Sequence, residues 1–333
     1  MALQITVDRT TLRLKTPFRI AGHVFETSPI VTVTVRDGNH VGRGEASGVF
    51  FLGDDADHIV ATLAEALPRT VALQSRDELR TILPPGGARN ALDCALWELE
   101  AARRGMPVWQ LAGLAAPRPL QTTFTVGADT PEAMAATAAG YSHARSIKIK
   151  LTCEVDLDVA RVAAIRAARP KTWLGVDGNQ GFTRSALEAL LPPLAALDVQ
   201  LVEQPLARGH DAELEGLGSP IPLAGDESIV SLADVVGAVG RFNVINIKLD
   251  KCGGLTEGLL MAAEARRLGL GVMVGTMVGT SLATAPGFIL GQVTDLVDLD
   301  GPTFIERDVD PGVLYTDGMV WAGPEVWGSP AAA

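Results

Sequence analysis

From about residue 120 the chain keeps one rhythm: a short apolar run, a break, then an amphipathic stretch. The runs end near Val126, Lys150, Asp177, Glu203, Asp226, Lys248, Gly275 and Asp300, at intervals of 22 to 27 residues. Eight strands at that spacing, each followed by a helix, predict a closed parallel barrel, because neighbouring parallel strands need a long crossover between them. The units are not alike in sequence, so the period is architectural and not a solenoid repeat. Loops from all eight strands of such a barrel converge at the C-terminal ends, so the residue that ends each strand is where chemistry is expected.

The first hundred or so residues follow other rules. Residues 3–45 read as β structure, with Thr32-Val33-Thr34-Val35 alternating, a turn at Arg36-Asp37-Gly38-Asn39 and a return through Val41 to Glu45. Residues 55–82 are helical in pattern with a break at Pro68. A further helix is predicted over 88–104, where Leu92, Ala95, Leu96 and Leu99 share a face. The expected organisation is an α+β capping domain at 1–118, a barrel at 119–302 and a segment at 303–333 that packs back on the cap.

Three strand ends carry acids: Asp177 in Leu-Gly-Val-Asp-Gly-Asn, Glu203 in Leu-Val-Glu-Gln-Pro and Asp226 in Leu-Ala-Gly-Asp-Glu-Ser. One acid there could cap a helix or pair with an arginine. Three on consecutive strands would converge, repel and raise one another's pKa values unless a cation met them. An all-oxygen site suits Mg²⁺, with Mn²⁺ possible, and the five histidines show no metal-ligand spacing.

Two strands end in lysines. Lys148 and Lys150 alternate with isoleucines and so share a face, where each is expected to depress the other's pKa and yield a usable base. Lys248 ends strand six, across the barrel from strand two. A metal flanked by bases from both sides suits removal of the proton next to a carboxylate. The ion stabilises the enediolate, one lysine takes the proton, the other returns one to the opposite face, and the stereocentre inverts. Enolase-superfamily sites are a standard instance of that chemistry. Asp298 and Asp300 also share a face at the last strand end; they read equally as a site for a substrate ammonium or as a polar turn before Pro302.

The balance of 28 basic against 39 acidic residues gives a net charge of −11, which argues against nucleic acid as a partner. Cys94, Cys153 and Cys252 have neither metal nor disulfide spacing. The N-terminus lacks a signal peptide's features, and no apolar stretch is long enough to span a bilayer. A soluble cytoplasmic protein is expected, working as a homo-oligomer on a small molecule, with no membrane partner.

Together, Lys148-Ile-Lys150, Val176-Asp177-Gly-Asn-Gln, Val202-Glu203-Gln-Pro, Gly225-Asp226-Glu-Ser and Asn246-Ile-Lys248-Leu-Asp-Lys-Cys-Gly-Gly-Leu resemble the muconate-lactonizing subgroup of the enolase superfamily. Gly87-Ala-Arg-Asn-Ala-Leu-Asp-Cys-Ala-Leu-Trp97 and the Asp298/Asp300 pair make the resemblance to the L-Ala-D/L-Glu epimerases, a dipeptide epimerase branch, close. The resemblance implies a modified (β/α)₇β TIM-type barrel with an N-terminal α+β cap. It implies Mg²⁺ on Asp177, Glu203 and Asp226, with Lys150 and Lys248 as the acid/base pair and Lys148 in electrostatic support. Lys251 is the weaker candidate. Asp298 and Asp300 would hold the α-ammonium of a dipeptide, and loops near 17–29 and 48–57 would close the pocket. Glutamate-specific members carry an arginine in the first loop; here Gly22 or His23 stands at that position and Arg19 comes early. Arg19, His23, Phe50 and Phe51 are the candidate specificity residues, with Phe50 and Phe51 open between substrate contact and packing inside the cap. An N-acyl amino acid racemase or an o-succinylbenzoate synthase is the alternative, since both use the same metal and lysines without a substrate ammonium. A barrel that only binds a ligand is the remote one.

Overall fold

The structure, a computed structural model, describes residues 3–71 and 75–330. Residues 72–74, within the stretch expected to be helical, lie outside it, as do residues 1–2 and 331–333 at the two ends. The chain opens with three antiparallel strands, β1 (Gln4–Ile20), β2 (His23–Asp37) and β3 (His40–Ala46). The turn between β2 and β3 falls at Gly38–Asn39, inside the segment that the sequence predicts. The stretch expected as a loop at 17–29 is instead the far end of the β1–β2 ribbon, paired as far as Ile20 with His23. On β2, Val31, Val33 and Val35 are fully buried while the residues between them are less so, the period-two pattern of a sheet with one covered face.

Three helices cover that face: α1 (Ala56–Thr70), α2 (Arg76–Ile82) and α3 (Gly87–Arg104). Pro68 does not break α1, which runs to Thr70. It sits in the last turn, so the one hydrogen bond it removes lies at the helix end and the turns before it are intact. Helix α3 is buried on nearly every side. One side lies on β3 so closely that a β-carbon on Gly42 would stand 1.9 Å from the Ala95 carbonyl oxygen, and one on Gly44 2.0 Å from that of Ala91. The Gly-x-Gly of β3 therefore sets the depth of the helix. Its other side meets the barrel. Cys94, Trp97 and Ala101 are buried there in the barrel's core, while Leu92 and Leu99 are fully buried on the sheet side, where shortening such a leucine to alanine costs about 2–5 kcal/mol.

After a short α4 (Val108–Leu111) and β4 (Leu120–Gln121), eight parallel strands follow: β5 (Thr123–Val126), β6 (Ser146–Lys150), β7 (Trp173–Asp177), β8 (Val199–Glu203), β9 (Leu223–Gly225), β10 (Val244–Lys248), β11 (Gly271–Gly275) and β12 (Leu296–Asp298). They pair in sequence order. Helices α5 (Pro131–Gly140), α6 (Val155–Ala168), α7 (Arg184–Ala196), α8 (Leu249–Cys252), α9 (Leu255–Arg267) and α10 (Ser281–Gly291) follow β5, β6, β7, β10 (two) and β11. The expectation of a helix after every strand fails three times. Only 3₁₀ turns, Asp211–Leu214, Leu232–Ala238 and Gly301–Thr303, follow β8, β9 and β12. Gly209, Gly216 and Gly218 are left-handed in the first of these connections, and Pro220 and Pro222 close it, so a full helix cannot form.

Among the described residues no ladder pair joins β12 to β5. Side chains stitch that seam: Leu299 N donates to Thr122 Oγ1 at 2.9 Å, Thr125 N to Asp300 Oδ2 at 2.6 Å, and Thr123 Oγ1 to Asp298. The sheet is nearly closed. Asp300 lies two residues past β12 and Asp226 one past β9, so these acids belong to the loops at the mouth.

Beyond the barrel, β13 (Leu314–Thr316) pairs with β14 (Met319–Trp321), and β14 with β4. Lys15 N donates to Phe304 O at 2.8 Å, and the Arg43 guanidinium and Trp327 indole exchange bonds with the backbone of Val326 and Arg43 at 2.9 Å each. No described helix is long and apolar enough to cross a membrane.

Candidate active site

Inside the barrel the side chains change character along each strand. Leu201, Ala224 and Met273, with Trp173, Val244 and Leu296, fill the lower layers with apolar contacts. Two or four residues further on, the same faces carry Asp177, Glu203, Asp226, Lys248 and Asp298. Alternation places every one of them inward, and the apolar floor beneath excludes water from below. Gly275 has its place here for room: a β-carbon would lie 2.9 Å from Asn246 Oδ1 and 3.1 Å from Lys248 Cε.

The three strand-end acids do converge. Asp177, Glu203 and Asp226 are buried, and each offers an oxygen within 4.8 Å of the others. Burial, with Asp177 and Asp226 adding to it against Lys148, pushes the Glu203 carboxyl up to about 8. Its Oε2 accepts no hydrogen bond, although Lys148 Nζ stands 3.4 Å away; its Oε1 accepts from Asn246 Nδ2 at 2.7 Å. Asp226 goes the other way. Burial works to raise it, but Lys248 and Lys251 hold it well below the usual carboxylate range.

Four buried lysines, Lys148, Lys150, Lys248 and Lys251, face six buried acids, Asp177, Glu203, Asp226, Glu227, Asp298 and Asp300, a balance of 4 − 6 = −2. An orphaned carboxylate oxygen, three convergent hard donors and a formal excess of two acids over lysines fit a divalent cation such as Mg²⁺. Asp177, Glu203 and Asp226 are the residues that could hold it.

The lysines flank this triad symmetrically. Lys150 Nζ on β6 donates to Asp177 Oδ2 at 2.6 Å, and Lys248 Nζ on β10 donates to Asp226 Oδ2 at 2.6 Å. The mutual depression expected of Lys148 and Lys150 does not describe Lys148, which is surrounded by acids. Burial pulls its ammonium down, but Asp298, Glu203 and Asp177 outweigh burial and raise it well above the ordinary lysine value. Lys248 is raised likewise, by Asp226 against burial. Sequence reasoning counted the neighbouring cations and not the acids from adjacent strands.

Asp298 and Asp300 line the same pocket as the lysines. Asp298 pairs with Lys148 and accepts from Thr123. Asp300 is pushed up to about 7 by burial and by the charge of Asp298. Phe50 and Phe51 also line the pocket, whereas Arg19 and His23 are exposed and outside its lining. His23 packs instead on Phe50, with ring centres 4.9 Å apart.

Sequence reasoning missed or undervalued three residues. Glu227 lines the pocket, is pushed up to about 7 by burial and by Asp226 and Asp177, and accepts from Asn179 Nδ2 at 3.1 Å. Asn246 lies two residues before Lys248, so period two already put it on the same face. Lys251 is 1% exposed and donates to Asp226 Oδ1 at 2.6 Å. The strand gives way to the single helical turn of α8, which brings residue 251 back beneath Lys248; strand periodicity gave no sign of that turn.

Residues 2–113 match the model of the mandelate racemase / muconate lactonizing enzyme N-terminal domain, and residues 130–325 that of the enolase C-terminal domain-like family. The L-Ala-D/L-Glu epimerase of Escherichia coli is 37% identical over 305 residues, 92% of this chain and 95% of that protein. An N-acetyl-D-glutamate racemase of Pseudoalteromonas is 40% identical over 243 residues, 73% of this chain and 76% of that one. Among solved structures, an Agrobacterium tumefaciens enolase family member with homology to dipeptide epimerases, holding sodium and L-Ala-L-Glu, superimposes with a TM-score of 0.92 at 40% identity, over 98% of this chain and 99% of that one. A Methylococcus capsulatus dipeptide epimerase complexed with Mg and L-Arg-D-Lys does so with a TM-score of 0.87 at 29% identity, over 96% and 97%. With a domain model matched on each half of the fold and likeness that extends over nearly the whole chain, this protein belongs to the mandelate racemase and muconate lactonizing enzyme family of the enolase superfamily.

Proposed function

We propose that the protein is a Mg²⁺-dependent dipeptide epimerase that inverts the α-carbon of the C-terminal residue. One observation carries this reading: Lys150 and Lys248 stand four strands apart, each bonded at 2.6 Å to the outer acid of a three-carboxylate cluster that lies between them. A site that only bound a ligand would have no use for two such bases. When bound, Mg²⁺ takes up the charge of the three carboxylates and polarises the carboxylate of the substrate. Lys150 and Lys248, whose partners are those carboxylates, would take a proton from one face of the α-carbon and return one to the other. Lys148, between Asp298 and Glu203, keeps positive charge beneath the reacting carbon. Asp298 and Asp300 are the groups that would meet the free ammonium. The three unpaired cysteines suit work in a reducing cytoplasm.

The test is proton exchange. A dipeptide substrate in D₂O with Mg²⁺ should gain deuterium at the C-terminal α-carbon while its diastereomer appears. Excess chelator should stop both, and fresh Mg²⁺ should restore them. Appearance of the diastereomer without deuterium would exclude the two-base route.

A second reading, racemisation of N-acyl amino acids, has one observation in its favour: Asp298 and Asp300 already have partners in the barrel seam, Lys148, Thr123 and Thr125. Acids engaged in this way have less need of a ligand ammonium. Turnover of N-acetyl amino acids above that of free dipeptides would select this reading.

A further inference from the structure

The upper wall of the pocket has a chemistry that the reacting centre does not dictate. From the cap it receives Phe18, Ile20, Phe25, Phe50 and Phe51, and from beyond β12 it receives Phe304. Phe25 and Phe50 meet edge-on with ring centres 5.3 Å apart, and Phe50 and Phe51 at 5.5 Å and 90°. Phe50 remains 38% exposed, a large ring held over a cavity with apolar surface to spare.

The cap contributes no lysine, arginine or histidine to the described lining, and it does contribute Asp54 and Asp55. The lining's cations are Lys148, Lys150 and Lys248, all from the C-terminal parts of barrel strands β6 and β10, and each is already paired with Asp298, Asp177 or Asp226. An acidic substrate side chain would therefore lose its water against phenylalanine rings with two aspartates nearby and no free cation to meet it, which disfavours its binding. An apolar side chain would cover Phe50, which is otherwise 38% exposed, and the partly exposed Phe25 and Phe51.

The two aromatic groups have different neighbours. Phe18 packs on Phe304 at 4.9 Å, beside the Asp300 turn. The Phe50–Phe51 loop is tied down on the other side: Ser47 N and Gly48 N donate to Asp250 at 2.8 and 3.1 Å, two residues past Lys248, and Ser47 Oγ donates to Val278 O at 2.8 Å. A dipeptide lying from Asp300 towards the Lys150–Lys248 pair would put its second side chain against Phe25, Phe50 and Phe51.

Resting on the dipeptide epimerase reading, we propose that the inverted residue carries an apolar side chain, aromatic or long aliphatic, seated on Phe25, Phe50 and Phe51, and that an acidic side chain is discriminated against. The experiment compares deuterium exchange for L-Ala-L-Phe, L-Ala-L-Leu and L-Ala-L-Glu, and for N-acetyl-Phe and N-acetyl-Glu, all with Mg²⁺. Expected is a kcat/KM for the apolar dipeptides above that for L-Ala-L-Glu by about tenfold or more. Phe51→Arg should raise turnover of L-Ala-L-Glu and lower that of L-Ala-L-Phe. Phe51→Ala, the milder change, should raise KM for L-Ala-L-Phe by more than it changes that for L-Ala-L-Glu. L-Ala-L-Glu turning over as well as the apolar pair overturns this proposal and leaves the epimerase reading standing. Exchange confined to the N-acetyl compounds overturns the epimerase reading, and the side-chain preference then stands or falls on N-acetyl-Phe against N-acetyl-Glu. No exchange with any compound overturns both.

Discussion

Lys251 and Asp226 form an ion pair at 2.6 Å in which the lysine is 1% exposed and also donates to Asn246 O at 3.0 Å. Lys248 holds the other oxygen of the same carboxylate from the pocket side. One acid thus has a structural cation below and a catalytic candidate above. Removing Lys251 would leave Asp226 with one partner in a site closed to water, and breaking a buried pair in this way costs about 3–5 kcal/mol. Lys251→Met is therefore expected to lower the urea midpoint sharply. Lys248→Met, which leaves Lys251 in place, should lower it much less while abolishing turnover. Equal stability of the two variants would show that Lys251 has no such role.

The two-base arrangement makes a separate prediction. Lys150→Ala and Lys248→Ala should each end epimerisation, because inversion needs a group on both faces. Either variant could still exchange the α-proton of a single diastereomer, since one face keeps its lysine, and the two variants should then differ in which diastereomer they exchange. Mass spectrometry of each diastereomer in D₂O reads this directly. Epimerisation by either variant at the wild-type rate would remove that lysine from the mechanism.

Stability should depend on pH, with a sign that the buried acids fix. Burial leads the causes that push Glu203 up to about 8, Glu45, Glu227 and Asp300 to about 7, and Asp93 and Asp250 to about 6. An acid whose folded pKa is raised binds more protons folded than unfolded. Stability then falls as pH rises from the unfolded value near 4 to the folded one. Metal-free protein is expected to lose melting temperature between about pH 4.5 and 8. Added Mg²⁺ should recover the part due to Glu203 and Glu227, which face the triad acids, but not that due to Asp300, Glu45, Asp93 and Asp250. Glu203→Gln should flatten the upper part of the metal-free profile. A metal-free melting temperature that climbs over this range would contradict the burial of these groups.

How much of this was legible in the sequence depended on the physics behind each part. The barrel and the triad were, because strand spacing and a charged residue after an apolar run are properties of single segments. The lysine pKa values were not: Lys148 is governed by Asp298, 150 residues away in sequence, and only the fold brings them together. Lys251 hid for a different reason. Period-two reasoning stops where the strand turns into α8, so a residue three places past Lys248 gave no inward signal. Arg19 and His23 were candidates by position in a presumed loop. The β1–β2 ribbon runs on to Ile20 and His23, and alternation along it gives the pocket Phe18, Ile20 and Phe25 in their stead.

The two acids at the barrel seam, Asp298 and Asp300, should differ in what their loss costs. Asp298 pairs with Lys148 and accepts from Thr123, so Asp298→Asn would leave a buried ammonium short of its main partner. That variant should lose stability as well as activity. Asp300 accepts from Thr125 N at 2.6 Å, a bond that an asparagine carbonyl oxygen can also accept, and its pKa of about 7 means that a neutral side chain there costs little. Asp300→Asn should therefore fold with near-normal stability and differ in what it recognises. If the carboxylate meets a substrate ammonium, losing its charge removes a charge-assisted hydrogen bond of roughly 1.5–3 kcal/mol, so kcat/KM for a free dipeptide should fall by about tenfold or more. N-Acetylating the dipeptide should cost the wild type a similar factor and cost Asp300→Asn little beyond what it has already lost. Steady-state kinetics on the four combinations of enzyme and substrate give the coupling. If the acetyl group costs both enzymes the same factor, Asp300 serves the barrel seam and not the ammonium, and the N-acyl amino acid reading gains what the dipeptide reading loses.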